Sequence, residues 1–477
     1  MSKWTPTGNS WRDFLHFLGP GWLVSIAYVD PGNYQADIQA AASGGYSLLW
    51  VVWWTSVLSV YVQVLCVRLA YYGGMNLAEA QAHATRSRTW HRYLNWAVAE
   101  FSTVITDLPE VIGMGIACNI FFGWPYWVGV ILSLFTTMSF LAVQSYGIRT
   151  LEIIIFFFVG IMACSLWVEM AGVGVDSGEL MRGWIYGFVQ VDRGDIFAIA
   201  GILGAVVMPH NLYLHSAACQ GRPVHPEHAP LAVKYSSYEP LLPIVVSFFI
   251  NVACLAVATE SFGDNVITGT VGLTTFEDYL RNGSFLFGIA LLASGQSSAI
   301  TTTFTGQYVM DGFLKIQLPT HWRAIATRLV AITPCVLVSA TVPHQVNQLV
   351  NFVNAALSVL LPFAFTPLVR YNCSPEIMGT KYASRGMERV LLYCLTFGVW
   401  VVNAMTLSVS GGGFFGDWRA NLEPSFGRTV LIVVEVSFHL FYAWWNIDCL
   451  TRKMDERDGA EEEEALLEEE EETGEVI

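Results

Sequence analysis

Long apolar runs dominate this chain and restrict what it can fold into. A helix needs about 20 consecutive apolar residues to cross the hydrocarbon core of a bilayer. Only 13% of the residues are charged and 54% are hydrophobic, a composition typical of membrane proteins and not of soluble domains. The sequence therefore predicts an all-α polytopic membrane protein. The expected spans, about twelve, lie near residues 19–43, 46–72, 95–122, 125–145, 150–172, 194–218, 237–262, 284–313, 323–342, 346–369, 388–409 and 428–449.

The distribution of basic residues predicts the direction in which the spans run. If the N-terminus is inside, 17 of the 24 Lys and Arg residues fall in inner loops and tails, and five fall in outer loops. Loops rich in Lys and Arg stay on the cytoplasmic side of a membrane. We therefore expect both termini in the cytoplasm. The pattern leaves open whether the host membrane is the plasma membrane or an endosomal or vacuolar membrane.

Three segments follow from these spans: a cytoplasmic N-terminal tail at 1–18, a transmembrane domain at 19–450 and an acidic cytoplasmic tail at 451–477. Between Asp455 and Glu475, the last segment holds 13 of the 39 acidic residues. Such a run repels itself, so we expect it to be disordered. Its Leu466-Leu467 pair resembles an acidic dileucine signal. The pair is either a site for a sorting adaptor or without function.

A carboxylate interrupts the first apolar run. The run from about Gly21 to Ala42 contains Asp30, followed at once by Pro31 and Gly32. Proline lacks a backbone N–H and clashes with the preceding turn, and glycine weakens a helix further, so the helix should break here and leave carbonyls unpaired. Unpaired carbonyls and a charge are costly in hydrocarbon unless something binds them. The break therefore predicts a functional site, with a cation as the partner of Asp30.

The sixth run is interrupted in the same way. Its segment 201–211 is apolar but ends in Met208-Pro209-His210-Asn211. Transporters built from inverted repeats carry paired discontinuous helices, one in each half, and hold their substrate between them near the middle of the membrane. The first and sixth runs fit this arrangement, which predicts a transport site between two broken helices.

Five groups at the two breaks are candidate metal ligands: the Asp30 carboxylate, the Asn33 side-chain oxygen, the Met208 thioether and the carbonyls of Ala27 and Ala205. A thioether contributes little to Mg²⁺ or Ca²⁺, which prefer oxygen shells, but it suits manganese, ferrous iron, cobalt and cadmium. We therefore expect a transition-metal site. The alternatives are that Met208 only packs and that Asp30 forms an ion pair with Arg328.

Titratable residues in the third, sixth and ninth runs predict a proton path. Asp107 and Glu110, three residues apart, share one helix face, where two buried neighbouring carboxylates favour retention of a proton on one of them. With His210 and Arg328, they form a chain from the first break toward the cytoplasm. Alternatively, either carboxylate is a static partner of Arg328. For His215, a role in the path and a purely structural role are both open.

Polar residues in the eighth and tenth runs are candidates to complete the shell of the ion or to line an aqueous route. The two strongest are Gln296 and Asn354. Side-chain amides also bridge transmembrane helices by hydrogen bonds, and that structural role is the alternative for both residues.

Taken together, these motifs resemble the NRAMP family of proton-coupled divalent metal ion transporters across nearly all of residues 15–450. The similar stretches are Asp30-Pro31-Gly32-Asn33, Met208-Pro209-His210-Asn211, Leu214-His215-Ser216, Asp107-Leu108-Pro109-Glu110-Val111-Ile112-Gly113, Gly295-Gln296-Ser297-Ser298 and Leu361-Pro362-Phe363-Ala364. The resemblance implies a LeuT-type fold that works by alternating access. In that fold two inverted five-helix repeats, with helices 1 and 6 broken, are followed by about two extra transmembrane helices.

The resemblance also implies roles for individual residues. Metal binding would fall to Asp30, Asn33, Met208 and the Ala205 carbonyl, with the Ala27 carbonyl joining in some conformations. Proton movement would fall to Asp107, Glu110, His210 and Arg328.

The expected function is therefore secondary active transport of Mn²⁺ or Fe²⁺, together with Cd²⁺ or Co²⁺, coupled to protons. The expected partners are the metal ion, protons and the lipid bilayer, without nucleic acid or a cofactor. The sequence shows no nucleophile paired with a base and no nucleotide-binding loop. An enzyme is therefore not expected. Two alternatives are a metal-responsive sensor or receptor on a transporter body and another LeuT-fold solute carrier. In such a carrier, half-helix N-termini would face a substrate carboxylate, and Asp30 argues against it.

Overall fold

The computed structural model describes residues 3–144, 148–263, 271–279, 284–316, 319–408, 414–421 and 426–452. Within these ranges the chain is almost entirely helical, and its β structure is limited to one isolated bridge between Trp4 and Val224. The Leu466-Leu467 pair and nearly all of the acidic tail lie outside the described residues. The α-helices, in chain order, are α1 (Ser10–Phe17), α2 (Pro20–Ser25), α3 (Pro31–Gly44), α4 (Leu49–Tyr72), α5 (Leu77–Ala84), α6 (Thr89–Phe122), α7 (Tyr126–Gln144), α8 (Ile148–Val173), α9 (Ser177–Tyr186), α10 (Ile196–Val206), α11 (Pro209–Gln220), α12 (Ala229–Tyr238), α13 (Leu241–Phe262), α14 (Leu273–Tyr279), α15 (Ser284–Leu314), α16 (Thr320–Thr341), α17 (Val346–Leu360), α18 (Pro362–Asn372), α19 (Pro375–Tyr382), α20 (Gly386–Ser408), α21 (Phe414–Asn421) and α22 (Phe426–Thr451).

Nine helical stretches of the described chain are long and apolar enough to cross a membrane: Ala27–Tyr72, Thr89–Phe122, Ile196–Gln220, Pro226–Phe262, Phe285–Leu314, Trp322–Thr341, Pro343–Asn372, Gly386–Ser408 and Phe426–Thr451. A tenth span results if the pair Val159–Val173 and Ser177–Val189, bent by 117°, is counted as one. The first stretch contains most of the first two predicted runs, and a shorter apolar helix, Tyr126–Ser139, covers the fourth. The predicted runs therefore all fall on helices, and the chain is a multi-pass membrane protein.

The structure confirms both predicted helix breaks. The first span consists of α2, a 3₁₀ turn at Ile26–Val29, and α3, which begins at Pro31 with Asp30 as its N-cap. The second broken span consists of α10 and α11, which begins at Pro209 with Met208 at its N-cap. Asp30 (φ −78°, ψ 169°) and Met208 (φ −73°, ψ 132°) both have extended backbones. Proline is well tolerated at the first helical position, because its missing N–H has no intrahelical partner there.

Close helix contacts bring the two breaks together. α10 packs against α17 and α3, and α6 packs against α3. Gly204 of α10 lies against the backbone of Asn354 and Ser358, so any side chain there would overlap with α17. A Cβ at Gly113 of α6 would lie 2.7 Å from Cγ of Pro31. Small residues thus allow the helices around the breaks to approach closely, as is usual for helices packed in a membrane.

The N-terminal segment is fixed to the turn between α12 and α13. The Glu239 carboxylate accepts hydrogen bonds from the backbone N–H groups of Gly19 and Gly21, the latter at 2.9 Å. The guanidinium of Arg222 donates to the Leu18 carbonyl at 2.6 Å. The start of α2 is therefore held from outside the helix.

We call this side of the membrane, where α1 lies, the near side; α3 runs from the break toward the far side.

Replacement of Gly204 by valine should destabilise the fold, because the new side chain would collide with the backbone of α17. Overpacking of this kind costs roughly 1–3 kcal/mol. We expect purified Gly204→Val protein to have a lower apparent melting temperature, measured by size-exclusion recovery after heating. Gly398→Val of α20 is the matched control, since a Cβ at Gly398 would have no neighbour within 4 Å. Equal melting temperatures for both variants would contradict close packing at Gly204.

Candidate metal centre

Two backbone carbonyls at the breaks lack their usual helical partners. In an α-helix, a carbonyl accepts a hydrogen bond from the N–H group four residues later. The residue four positions after Ala27 is Pro31, and the residue four positions after Ala205 is Pro209. Because proline has no N–H, each break frees one identified carbonyl oxygen.

Asn33 lies at the point where these oxygens converge. Its side-chain nitrogen is 2.8 Å from the Ala27 oxygen and 3.1 Å from the Ala205 oxygen. The same nitrogen is 2.8 Å from Oδ1 of Asp30, which also accepts the backbone N–H of Asn33 at 2.7 Å. One point in the protein thus lies within hydrogen-bond distance of three oxygens, and these oxygens come from both broken spans.

An amide nitrogen cannot satisfy three acceptors, because it carries only two hydrogens. In addition, Oδ2 of Asp30 and Oδ1 of Asn33 are buried without a hydrogen-bond partner among the described residues. A divalent cation bonds several oxygens at once. The sequence predicted the Asn33 side-chain oxygen as a ligand, whereas the structure places the nitrogen at the point of convergence. The predicted role therefore requires a half-turn of the amide, which exchanges the two atoms.

Met208 and Asn354 also lie at the breaks, and the hydrogen bond described for Gln296 is to Met114 of α6. Met208 is buried between α10 and α11, and Asn354 donates its amide to the Gly32 carbonyl at 2.7 Å. Gln296 of α15 instead directs its amide nitrogen to the Met114 sulfur, at 3.6 Å. The described residues contain no group of three or more His, Cys, Asp or Glu that could hold a metal ion. A cation at the breaks would therefore have a single carboxylate among carbonyl, amide and thioether donors.

Arg328 of α16 pairs with the two carboxylates of α6. Its Nη2 donates to Oε2 of Glu110 at 3.0 Å, and its Nε is 3.9 Å from Oδ2 of Asp107. Among the ion pairs of the described chain, Arg328 therefore has these two partners and not Asp30. Within the described part of the chain, Oδ1 of Asp107 and Oε1 of Glu110 are buried without a hydrogen-bond partner. Each carboxylate thus keeps one oxygen available to a proton while it faces the guanidinium.

His210 and a further ion pair extend this cluster along α6. His210 Nδ1 is 3.3 Å from Oγ1 of Thr106, the residue before Asp107. Seven residues before Asp107, Glu100 forms an ion pair with Arg323 of α16, at 2.6 and 2.7 Å. The prediction from sequence missed this pair. The sequence feature that could have indicated it is the separation of seven residues between Glu100 and Asp107, which places both on one helix face.

His215 belongs to a different buried network. Its Nδ1 is 2.7 Å from Oε1 of Gln63, whose amide donates to the Tyr28 hydroxyl at 2.6 Å. Ser59 donates to the same hydroxyl at 2.7 Å. Because Tyr28 follows Ala27 directly, this network fixes the turn that carries a candidate ligand. The described contacts thus place His215 beside the inner part of the first span rather than beside the carboxylates of α6.

The candidate ligands at the breaks are closed off from both sides of the membrane, since none of them is more than 1% exposed. On the far side, Gln35 holds the segment that leads into α14. Its amide donates to the Val271 carbonyl at 3.0 Å and accepts the N–H of Leu273 at 2.8 Å. Asn351 of α17 accepts from the same amide at 2.7 Å. Access from the far side requires that these hydrogen bonds break.

The sequence matches one family over most of its length. A family model described as Natural resistance-associated macrophage protein-like (Nramp) covers residues 21–409. The chain belongs to the Nramp family. It is 35% identical over 413 residues to the metal transporter nramp1 homolog of Dictyostelium discoideum, covering 84% of this chain and 75% of that protein. It is 33% identical over 476 residues to metal transporter Nramp4 of Arabidopsis thaliana, covering 94% and 90%.

Solved structures agree with this membership. A mutant of the Eremococcus coleocola manganese transporter superposes with a TM-score of 0.82 at 26% identity, covering 95% of this Nramp chain and 98% of that one. Mhp1, a nucleobase-cation-symport-1 family transporter, superposes with a TM-score of 0.52 at 14% identity, covering 90% and 92%. The second likeness concerns the fold alone. Together they confirm the predicted LeuT-type fold, and the family is one of transporters rather than enzymes.

Replacement of Gln35 by alanine should open the Nramp chain to the far side more often, because it removes the bonds to Val271 and Leu273. Cys254 of α13 is a native reporter, since it is buried against the Tyr34 carbonyl. We expect severalfold faster modification of Cys254 by a water-soluble thiol reagent added from the far side, measured by peptide mass spectrometry.

Gln39→Ala is the matched control for this experiment. It makes the same substitution one turn further along α3, where the described hydrogen bonds do not reach the segment before α14. If Gln35→Ala and Gln39→Ala are modified at the same rate, Gln35 does not keep the far side closed.

Proposed function

We propose that this protein is a secondary active transporter that moves divalent transition-metal ions, Mn²⁺ or Fe²⁺ together with Cd²⁺ or Co²⁺, into the cytoplasm with protons. It would work by alternating access. In this assignment the near side is the cytoplasm, in agreement with the excess of basic residues in the loops on that side. The site at the two breaks binds the metal. The proton is carried by Asp107 and Glu110 of α6 with Arg328 of α16, which we call the α6–α16 cluster.

One observation carries the metal assignment: oxygens of Ala27, Asp30 and Ala205 lie within 3.1 Å of a single atom of Asn33. The Asn33 amide has only two hydrogens for these three oxygens, whereas a divalent cation at the same point would bond all of them. The relatives support the same class of substrate, because they are named metal transporters and, in the solved structure, a manganese transporter. Met208 adds a soft donor, which favours transition metals over calcium and magnesium.

The proton assignment is supported by the contacts of α6. Asp107 and Glu110 share Arg328 and are buried, and each has one oxygen without a hydrogen-bond partner in the ranges that the structure describes. His210 contacts the residue next to Asp107. The cluster therefore begins beside α11, at the metal site, and continues along α6 to Glu100 toward the near side, as a relay from the site to the cytoplasm requires.

Loss of the carboxylate at the first break should abolish transport. In proteoliposomes with an inward proton gradient, the native chain should take up Mn²⁺ with concurrent acidification, and Asp30→Ala should do neither. Asp30→Asn, which keeps the shape but not the charge, should behave like Asp30→Ala. Metal uptake and internal pH are followed in the same vesicles. Mn²⁺ uptake at the native rate by a well-folded Asp30→Ala protein would refute the site.

Loss of the thioether should change selectivity more than activity. Met208→Ala should retain some Mn²⁺ uptake but lose roughly tenfold in discrimination against Ca²⁺, which corresponds to about 1.4 kcal/mol. The measurement is competition of Ca²⁺ with Mn²⁺ uptake. Met162→Ala, another buried methionine that lies on α8, is the control for lost packing. Unchanged competition in Met208→Ala would refute the role of sulfur in selectivity.

A further inference from the structure

Asp37 is a second buried carboxylate on α3, and neither the metal centre nor the α6–α16 cluster uses it. It follows Asp30 by seven residues, which is two helical turns and about 10 Å toward the far side on the same face. Its side chain is 2% exposed, and its Oδ2 has no hydrogen-bond partner among the described residues. A bare anion is unstable in such a place. The carboxylate must therefore hold either a proton or a cation.

The surroundings of Asp37 suit a proton better than a metal ion. Among the described side chains, the titratable groups that face it are Tyr34 of its own helix and Cys254 of α13. α10 and α17, which also pack on α3, contain no charged residue. Asp195, which contacts the far-side end of α3, accepts a hydrogen bond from Ser43 at 2.5 Å. A divalent metal needs several strong donors, whereas one carboxylate oxygen suffices for a proton.

Polar atoms without partners continue along the seam between α3 and α13. The Tyr34 hydroxyl and Oδ1 of Asn251 are buried without a hydrogen-bond partner among the described residues. Between them, Cys254 Sγ lies 4.0 Å from the Tyr34 carbonyl oxygen. The Asn251 amide donates to the Tyr28 carbonyl at 3.1 Å, at the first break. The seam thus connects the level of Asp37 with the metal centre, on a different face of α3 from the one that α6 contacts.

We propose that Asp37 is a proton-binding site on the far-side half of the protein, from which protons reach the first break along the α3–α13 seam. A proton from the far side adds to Oδ2 of Asp37 and later leaves it for a polar group or water of the seam. Only this O–H bond forms and breaks. The inference rests on the proposed coupling to protons, and it adds an entry route to the exit route through α6.

The test compares Asp37→Asn, Asp37→Glu and the native chain in proteoliposomes. Native Mn²⁺ uptake should increase when the far-side medium is acidified. Asp37→Asn should bind Mn²⁺ with the native stoichiometry in detergent but lose this acid stimulation and the accompanying proton flux, while Asp37→Glu should retain both. Asp192→Asn, the same substitution at an exposed far-side position, should behave like the native chain.

A second measurement does not depend on transport. Infrared difference spectra of the purified protein should contain a band of a protonated carboxyl group that is missing in Asp37→Asn and shifted in Asp37→Glu. A native acid response in a well-folded Asp37→Asn protein, or identical infrared spectra, would overturn the proposal. A lower number of Mn²⁺ ions bound by Asp37→Asn would also overturn it, in favour of a second metal site. If the native chain moves Mn²⁺ without protons, the coupling fails, and the infrared band still decides whether Asp37 holds a proton.

Discussion

Oxygen atoms that lack their helical hydrogen-bond partners inside the membrane are the constraint on which the rest of this structure depends. Such atoms are costly in a region without water, and the breaks bring several of them to one place. Pro31 and Pro209 free two carbonyls, and Asp30 adds a charge. The surrounding helices must approach closely for these oxygens to meet, which explains why Gly204 and Gly113 lie where any side chain would collide. The glycines therefore allow the close helix packing that brings the candidate ligands together.

Side chains that bind backbone groups connect the first broken span to its neighbours on both sides of the membrane. On the far side Gln35 binds both a carbonyl and an N–H of the segment before α14. On the near side Glu239 binds two N–H groups at the start of the first span. Each net hydrogen bond contributes only about 1 kcal/mol. Contacts of this size can form and break while the packed core around α6 and α15 stays intact, as the proposed alternating access requires.

The sequence made the breaks predictable because proline acts on its own helix, through covalent geometry that needs no tertiary contact. The partners of Gln35 were not predictable in this way, since Leu273 lies 238 residues further along the chain. The same holds for Arg323 and Glu100, which are 223 residues apart. One of the three oxygens around the Asn33 amide, that of Ala205, lies 172 residues further along the chain. The position of the candidate metal centre was therefore predictable from local chemistry. Its surroundings were not, because they depend on long-range contacts.

The freed carbonyls have a consequence for the interpretation of sequence variants. Ala27 and Ala205 are candidate ligands through their backbone oxygens. A substitution of either side chain does not itself remove these oxygens. These oxygens lack a helical partner because Pro31 and Pro209 lie four residues further along the chain. A residue with an N–H at either proline would allow the helix to close over the break and bind the carbonyl within the backbone. We therefore expect substitutions of these two prolines to impair the metal centre, although neither proline is a candidate ligand.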